Sequence, residues 1–168
     1  MKPLPHDVLG GSFGTNKEQQ NRHAHAVLKA DGSVEAWGDR YYGGDEGRYN
    51  YYGGTSALRS GVISIHSNSE SFAAIKQDGS VISWGGRSSD HGGHQGVNNS
   101  NINGLKSGVV DISSTEVAFA AIKGDGSVIT WGSNYHGGNS SVVQQHLNSG
   151  VVDVYSNLYA FAALKSDG

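Results

Sequence analysis

The 168-residue sequence predicts an all-β protein assembled from repeated small antiparallel sheets, and three observations predict it. Glycine is abundant and proline scarce, 26 residues against 2. Glycine at roughly twice its usual share of about 7%, with so little proline, suits many tight turns between short strands. The tryptophans Trp37, Trp84 and Trp131 are spaced by 47 residues, and each precedes a glycine. Asp-Gly recurs at Asp31-Gly32, Asp78-Gly79, Asp125-Gly126 and Asp167-Gly168, with spacings of 47, 47 and 42. A period of roughly 40–50 residues with one Asp-Gly and one Trp-Gly per unit reads as a blade array of the β-propeller type.

Taken in order, residues 1–13 stand outside the frame as a leader. The repeats cover 14–60, 61–107 and 108–149, with a partial unit at 150–168, all in one domain spanning 1–168. Between 61–85 and 108–132, 16 of 25 positions are identical. The run from Gly14 to Gln20 fills the slot that Gly150 to Ser156 fills later. Its polarity predicts an exposed or edge strand, since charges blunt edge pairing.

The local pattern is clearest in the third unit. Val109-Val110-Asp111-Ile112-Ser113 is short and β-branched, Phe119-Ala120-Ala121-Ile122-Lys123 is apolar on both faces, and Ser127-Val128-Ile129-Thr130-Trp131 is strand again. Asp-Gly between two such runs is a hairpin signal. Each unit is therefore a three-strand meander, with a weak fourth strand expected in the variable loop. Strands apolar on both faces belong in stacked sheets. The pairs Ala73-Ala74, Ala120-Ala121 and Ala162-Ala163 let sheets approach closely, and the tryptophans are expected to plug the interfaces.

Composition removes several functions. Lys+Arg 12 against Asp+Glu 15 leaves a net charge of −3, unlike a binder that lives on phosphate neutralisation, so no nucleic-acid partner is expected. Cysteine is absent, which excludes disulfides, thiolate metal sites and a cysteine nucleophile. No apolar run is long enough to span a bilayer, and residues 1–7 lack the apolar core of a secretion signal. These absences tilt the expected location toward the cytoplasm.

The segment Ala26-Val27-Leu28-Lys29-Ala30-Asp31-Gly32-Ser33-Val34-Glu35-Ala36-Trp37-Gly38, recurring from Ala74 to Gly85 and from Ala121 to Gly132, resembles the RCC1 repeat, the β-propeller family named for the regulator of chromosome condensation. The resemblance covers about residues 14–168. The Gly-Gln-Leu-Gly type segment usual after Trp-Gly is replaced here by Gly43-Gly44, Gly92-Gly93 and Gly137-Gly138, as in a bacterial-looking branch. The best-known members have seven blades, exchange guanine nucleotide on a small GTPase and contact chromatin. Those roles rest on long loops and a basic tail that have no matching positions here.

Residues that a repeat copies faithfully are usually structural, so specificity is expected in the variable loops 39–59, 86–104 and 133–147. The richest is the tyrosine loop, where Arg40, Tyr41, Tyr42, Tyr49, Tyr51 and Tyr52 form a candidate contact surface for a protein or a glycan. His91 and His94 form a His-x-x-His in a glycine-rich loop, and His136 precedes the corresponding glycines one unit on, so these three are the candidate histidine cluster. No carboxylate or cysteine completes a metal set, and no metal or cofactor is expected. His23 and His25 share a strand face, but His25 aligns with Phe72, Phe119 and Phe161 and reads as a core substitute. The repeated lysines Lys29, Lys76, Lys123 and Lys165 are expected to pair with the turn aspartates. No triad or carboxylate pair stands apart from the repeat, so the chain is not expected to be an enzyme. The leading expectation is a non-enzymatic protein-interaction scaffold; the alternatives are a carbohydrate-binding module using loop 40–54 and a guanine-nucleotide exchange factor.

The length holds about 3.6 repeats, whereas propellers typically need about 4–8 blades. Val8 to Phe13 could supply a missing strand, two chains could pair into one ring, or the sequence could be part of a longer chain. Open apolar blade faces favour a homo-oligomer, as a dimer, or a fragment of a longer chain over a lone monomer.

Overall fold

The computed structural model describes residues 21, 23–44, 55–87, 91–92 and 103–168. Among these, ten strands form four antiparallel sheets in chain order. β1 (Ala24–Leu28) pairs with β2 (Val34–Gly38). β3 (Val62–Ser67), β4 (Ser71–Lys76) and β5 (Val81–Gly85) make one three-strand meander, and β6 (Val109–Ser114), β7 (Ala118–Lys123) and β8 (Val128–Gly132) make the next. β9 (Val151–Ser156) pairs with β10 (Phe161–Lys165). The leader and the polar run 14–20 lie outside the described residues, and so does the edge strand expected there. No helix among the described residues is long and apolar enough to cross a membrane.

Each hairpin closes on its own aspartate. The Asp78 carboxylate accepts from the Ser80 amide at 2.9 Å and the Ser80 hydroxyl at 2.6 Å. Asp31 with Ser33 and Asp125 with Ser127 repeat the arrangement. This local bonding is why Asp-Gly-Ser turns where it does. The expected Lys–Asp pair across the turn does not form. The serine already occupies the carboxylate, and the longer lysine reaches elsewhere. Lys76 Nζ donates to the Ala57 carbonyl, Lys165 Nζ to the His146 carbonyl, and Lys29 pairs with Glu35 at 3.5 Å.

The register sets an aromatic pair across the second and third strands of each unit: Phe72 opposite Trp84, Phe119 opposite Trp131 and His25 opposite Trp37. The rings stack at centroid distances of 5.2, 5.2 and 5.5 Å. Trp84 and Trp131 are each 2% exposed and plug the interfaces as expected. Trp37 is 52% exposed and does not, because no preceding sheet covers it among the described residues.

Three apolar joints hold the sheets face to face. Ala24, Ala26, Val34 and Ala36 pack against Val62, Ile65, Phe72, Ala74 and Trp84. Ala73, Ile75 and Val81 meet Val109, Ile112, Phe119 and Trp131, and Ala120 and Val128 meet Val151 and Val154. The paired alanines thus face opposite joints, as strand alternation requires. Among the described residues the variable loops contain no fourth strand. Short helical turns at Thr55–Leu58, Asn103–Lys106 and Gln144–Leu147 stand in its place. Each carries one leucine, Leu58, Leu105 or Leu147, into a joint.

Main-chain bonds lace the sheets together at both ends of the strands. At one end the Val62, Val109 and Val151 amides donate to the Gly32, Gly79 and Gly126 carbonyls of the sheet before. At the other, the Ser69 amide donates to the Glu116 carbonyl and the Glu116 amide to the Leu158 carbonyl. The first lacing demands glycine. Gly79 has φ +73, and a Cβ there would sit 2.5 Å from the Gly108 nitrogen.

Candidate functional site

The loop that follows each third strand turns over the end of its sheet and is held there by a repeated clamp. Asn21 Nδ2 donates to the Tyr42 carbonyl at 3.0 Å, Asn68 Nδ2 to the His91 carbonyl at 3.1 Å, and Thr115 Oγ1 to the His136 carbonyl at 2.9 Å. The glycine that follows is caught from the next sheet. Trp84 Nε1 donates to the Gly43 carbonyl at 3.2 Å, and Trp131 Nε1 to the Gly92 carbonyl at 2.9 Å. Arg40–Tyr42 and Asn134–His136 are single 3-10 turns, capped by the Asp39 carboxylate on the Tyr41 amide and the Ser133 hydroxyl on the Tyr135 amide. The loops are therefore rigid where they meet the sheets.

The candidate residues separate on this frame. Tyr42 is buried, its ring 4.0 Å from His23, so it is part of the clamp region and not an exposed contact as expected. Tyr41, its neighbour, is 48% exposed. Arg40 donates to the Tyr41 hydroxyl at 2.8 Å and lies over its ring at 4.7 Å, while Arg87 lies over the same ring at 5.7 Å. Two guanidinium groups thus lie within cation–π reach of one exposed tyrosine, and Arg87 also stands 5.5 Å from the Tyr42 ring. Tyr49, Tyr51, Tyr52 and His94 lie outside the described residues.

Of the candidate histidines, His91 and His136 are described, and each has a carboxylate partner. Each is taken by a carboxylate of its own unit, His91 Nδ1 by Glu70 at 2.5 Å and His136 Nε2 by Glu116 at 3.6 Å. Glu70 Oε2 and His91 Nδ1 are both sealed from water. Among the described residues no three His, Cys, Asp or Glu side chains converge as metal ligands would.

Sequence reading missed three things. Tyr135, the repeat counterpart of Tyr41, is 92% exposed on the second capped turn. Arg87 enters the patch from a neighbouring sheet, which no local spacing announces. The clamp positions were visible, since Asn21, Asn68, Thr115 and Asn157 keep the 47, 47 and 42 spacing.

No family model matches the chain, and no curated protein sequence matches it. Solved structures do. Human WBSCR16 aligns at a TM-score of 0.56 and 17% identity, over 88% of this chain and 44% of that one. Prp20p from Saccharomyces cerevisiae, in a structure reported with its binding to Gsp1p and histones, aligns at 0.52 and 17%, over 87% and 40%. A structure of Kap60 bound to yeast RCC1 (Prp20) aligns at 0.53 and 18%, over 87% and 38%. The fold is RCC1-like. The four sheets are propeller blades of that type, and the chain spans less than half the length of these structures.

Proposed function

We propose that this chain is a non-enzymatic protein-interaction scaffold, with RCC1-like blades that hold capped loop turns toward a partner. The observation that carries the reading is the cluster of exposed Tyr41 with the Arg40 and Arg87 guanidinium groups, with Tyr135 displayed at the equivalent place two units on. Tyrosine and arginine dominate binding hot spots. Here the turns that carry the tyrosines are fixed by their caps, so little order is lost on binding. The guanidinium pair favours a partner surface bearing carboxylates around an apolar centre. That one likened protein, Prp20p, is described as binding Gsp1p and histones, and is seen in complex with Kap60, supports a protein partner for this fold.

The test compares affinity capture by the wild-type chain and by the triple variant Arg40→Ala, Tyr41→Ala, Tyr135→Ala. A protein held by the first and lost by the second, at unchanged melting temperature, supports the scaffold. Glycan-array binding lost in the same variant would replace it with a lectin. Accelerated nucleotide release from a small GTPase would replace it with an exchange factor.

A further inference from the structure

Aspartate followed by glycine is a chemically weak point of a polypeptide. The glycine nitrogen can attack the aspartate Cγ, since no side chain on the glycine stands in its way. The new N–Cγ bond closes a five-membered succinimide, and the carboxyl hydroxyl leaves as water with the amide proton. Water then opens the ring at either carbonyl. Breaking the N–Cγ bond restores aspartate. Breaking the bond between the nitrogen and the aspartate α-carbonyl leaves isoaspartate, with the main chain routed through the side-chain methylene and no net change in mass.

Three such pairs sit in hairpin turns here, their aspartates exposed. In each, both reacting groups are engaged. Asp78 Oδ1 accepts from the Ser80 amide at 2.9 Å and the Ser80 hydroxyl at 2.6 Å, and the Gly79 amide donates to the Lys76 carbonyl at 2.8 Å. Asp31 is held in the same way by Ser33, and Asp125 by Ser127. The Gly32 and Gly126 amides donate to the Lys29 and Lys123 carbonyls, both at 2.9 Å. Each glycine is also fixed at its other end, because its carbonyl accepts from Val62, Val109 or Val151 of the next sheet. The nitrogen cannot swing onto Cγ while these bonds hold. The serine contacts further keep the carboxyls ionised, and an ionised carboxylate is the poorer electrophile.

We propose that Asp31, Asp78 and Asp125 are gated isoaspartate sites, closed in the folded blade by the serine two residues on and opened when the hairpin turn detaches from the next sheet. Local opening of this kind has its own free energy, below that of global unfolding. The product does not fit back. One added methylene in the main chain carries the glycine carbonyl away from the valine amide it serves, at a crossing where even a Cβ on Gly79 would stand 2.5 Å from the Gly108 nitrogen. A joint that has opened and reacted is thus marked covalently and stays weakened. Asp111 and Asp153 precede Ile112 and Val154, whose branched side chains hinder the same attack, and serve as internal references. The inference rests on the turns alone and is independent of the Arg40, Tyr41 and Tyr135 surface.

The test incubates the full chain folded and in unfolding urea, and counts isoaspartate site by site in digested peptides by electron-transfer fragmentation. The folded chain is expected to form it at Asp31, Asp78 and Asp125 at least about a hundredfold more slowly than the unfolded chain. Ser80→Ala is expected to speed the reaction at Asp78 by about tenfold in the folded chain, with Asp31 and Asp125 unchanged. Ser80→Thr, which keeps the hydroxyl, is expected to restore the slow rate. The proposal is overturned by equal rates in the folded and unfolded wild type, by an unchanged Asp78 rate in Ser80→Ala, or by all three sites rising together in that variant, which would make the serine a support of the whole fold and not a local gate.

Discussion

The indole N–H of Trp131 donates to the Gly92 carbonyl at 2.9 Å, reaching from a strand of one blade into the loop of the blade before it. One bond thereby joins the blade core to the loop frame. Trp131→Phe keeps most of the stack on Phe119 but orphans a buried carbonyl, which costs about 1–3 kcal/mol. Trp131→Ala adds a cavity, for about 3–5 kcal/mol in all. Trp37→Ala, at an exposed position, is expected to change stability far less. Urea titration of the three variants checks the order.

Glycines separate by position. Gly79→Ala drives a Cβ against the Gly108 backbone at positive φ and is expected to destabilise by more than about 1 kcal/mol. Gly124, one residue before Asp125, has ordinary φ and van der Waals room beside Val110. Gly124→Ala is therefore expected to stabilise by about 0.4–1 kcal/mol through the unfolded chain. Thermal unfolding of the pair decides it. A neutral Gly79→Ala would show that the lacing is slack.

Asp31, Asp78 and Asp125 are held below the usual carboxylate range, first by the serine hydroxyl and amide, with the lysine two residues before adding a smaller push. A lowered folded pKa contributes stability that is present above the unfolded value, about 3.9, and is lost as pH falls through the lowered one. The hairpin turns are thus expected to weaken only below about pH 4. Ser80→Ala should move the Asp78 carboxyl back up while leaving Asp31 and Asp125 in place, as read by carboxyl NMR titration.

Glu70 and His91 form a half-buried pair whose facing atoms are closed to water, whereas Glu116 and His136 stand farther apart, with Glu116 more open than Glu70. A double-mutant cycle to alanine should give a coupling of about 1 kcal/mol or more for the first pair and near zero to 1 for the second. Equal couplings would mean that burial does not distinguish them.

The blades were legible because their cause is periodic. Trp-Gly, Asp-Gly-Ser and Phe-Ala-Ala each act within one unit, so a 47-residue comparison finds them. The joints depend on which unit has a neighbour. Trp37 looks the same as Trp84 in sequence and differs in the sheet beside it. Arg87 joins Tyr41 across two units, and only folding brings them together. Tyr42 read as a contact residue because it stands in the tyrosine-rich loop, yet the 3-10 turn buries it and leaves its neighbour Tyr41 exposed. Leu58, Leu105 and Leu147 kept the 47 and 42 spacing in plain view, but their loops carry no strand pattern to draw attention to them.

The lacing of Val62, Val109 and Val151 amides onto Gly32, Gly79 and Gly126 carbonyls uses no side chain at all. A molecule whose parts are registered by main-chain atoms is indifferent to most of what evolution writes on them. Its side chains are free to drift as long as glycine survives at the crossing points. Distant kin of this chain are therefore better sought by the phase of their glycines than by percentage identity.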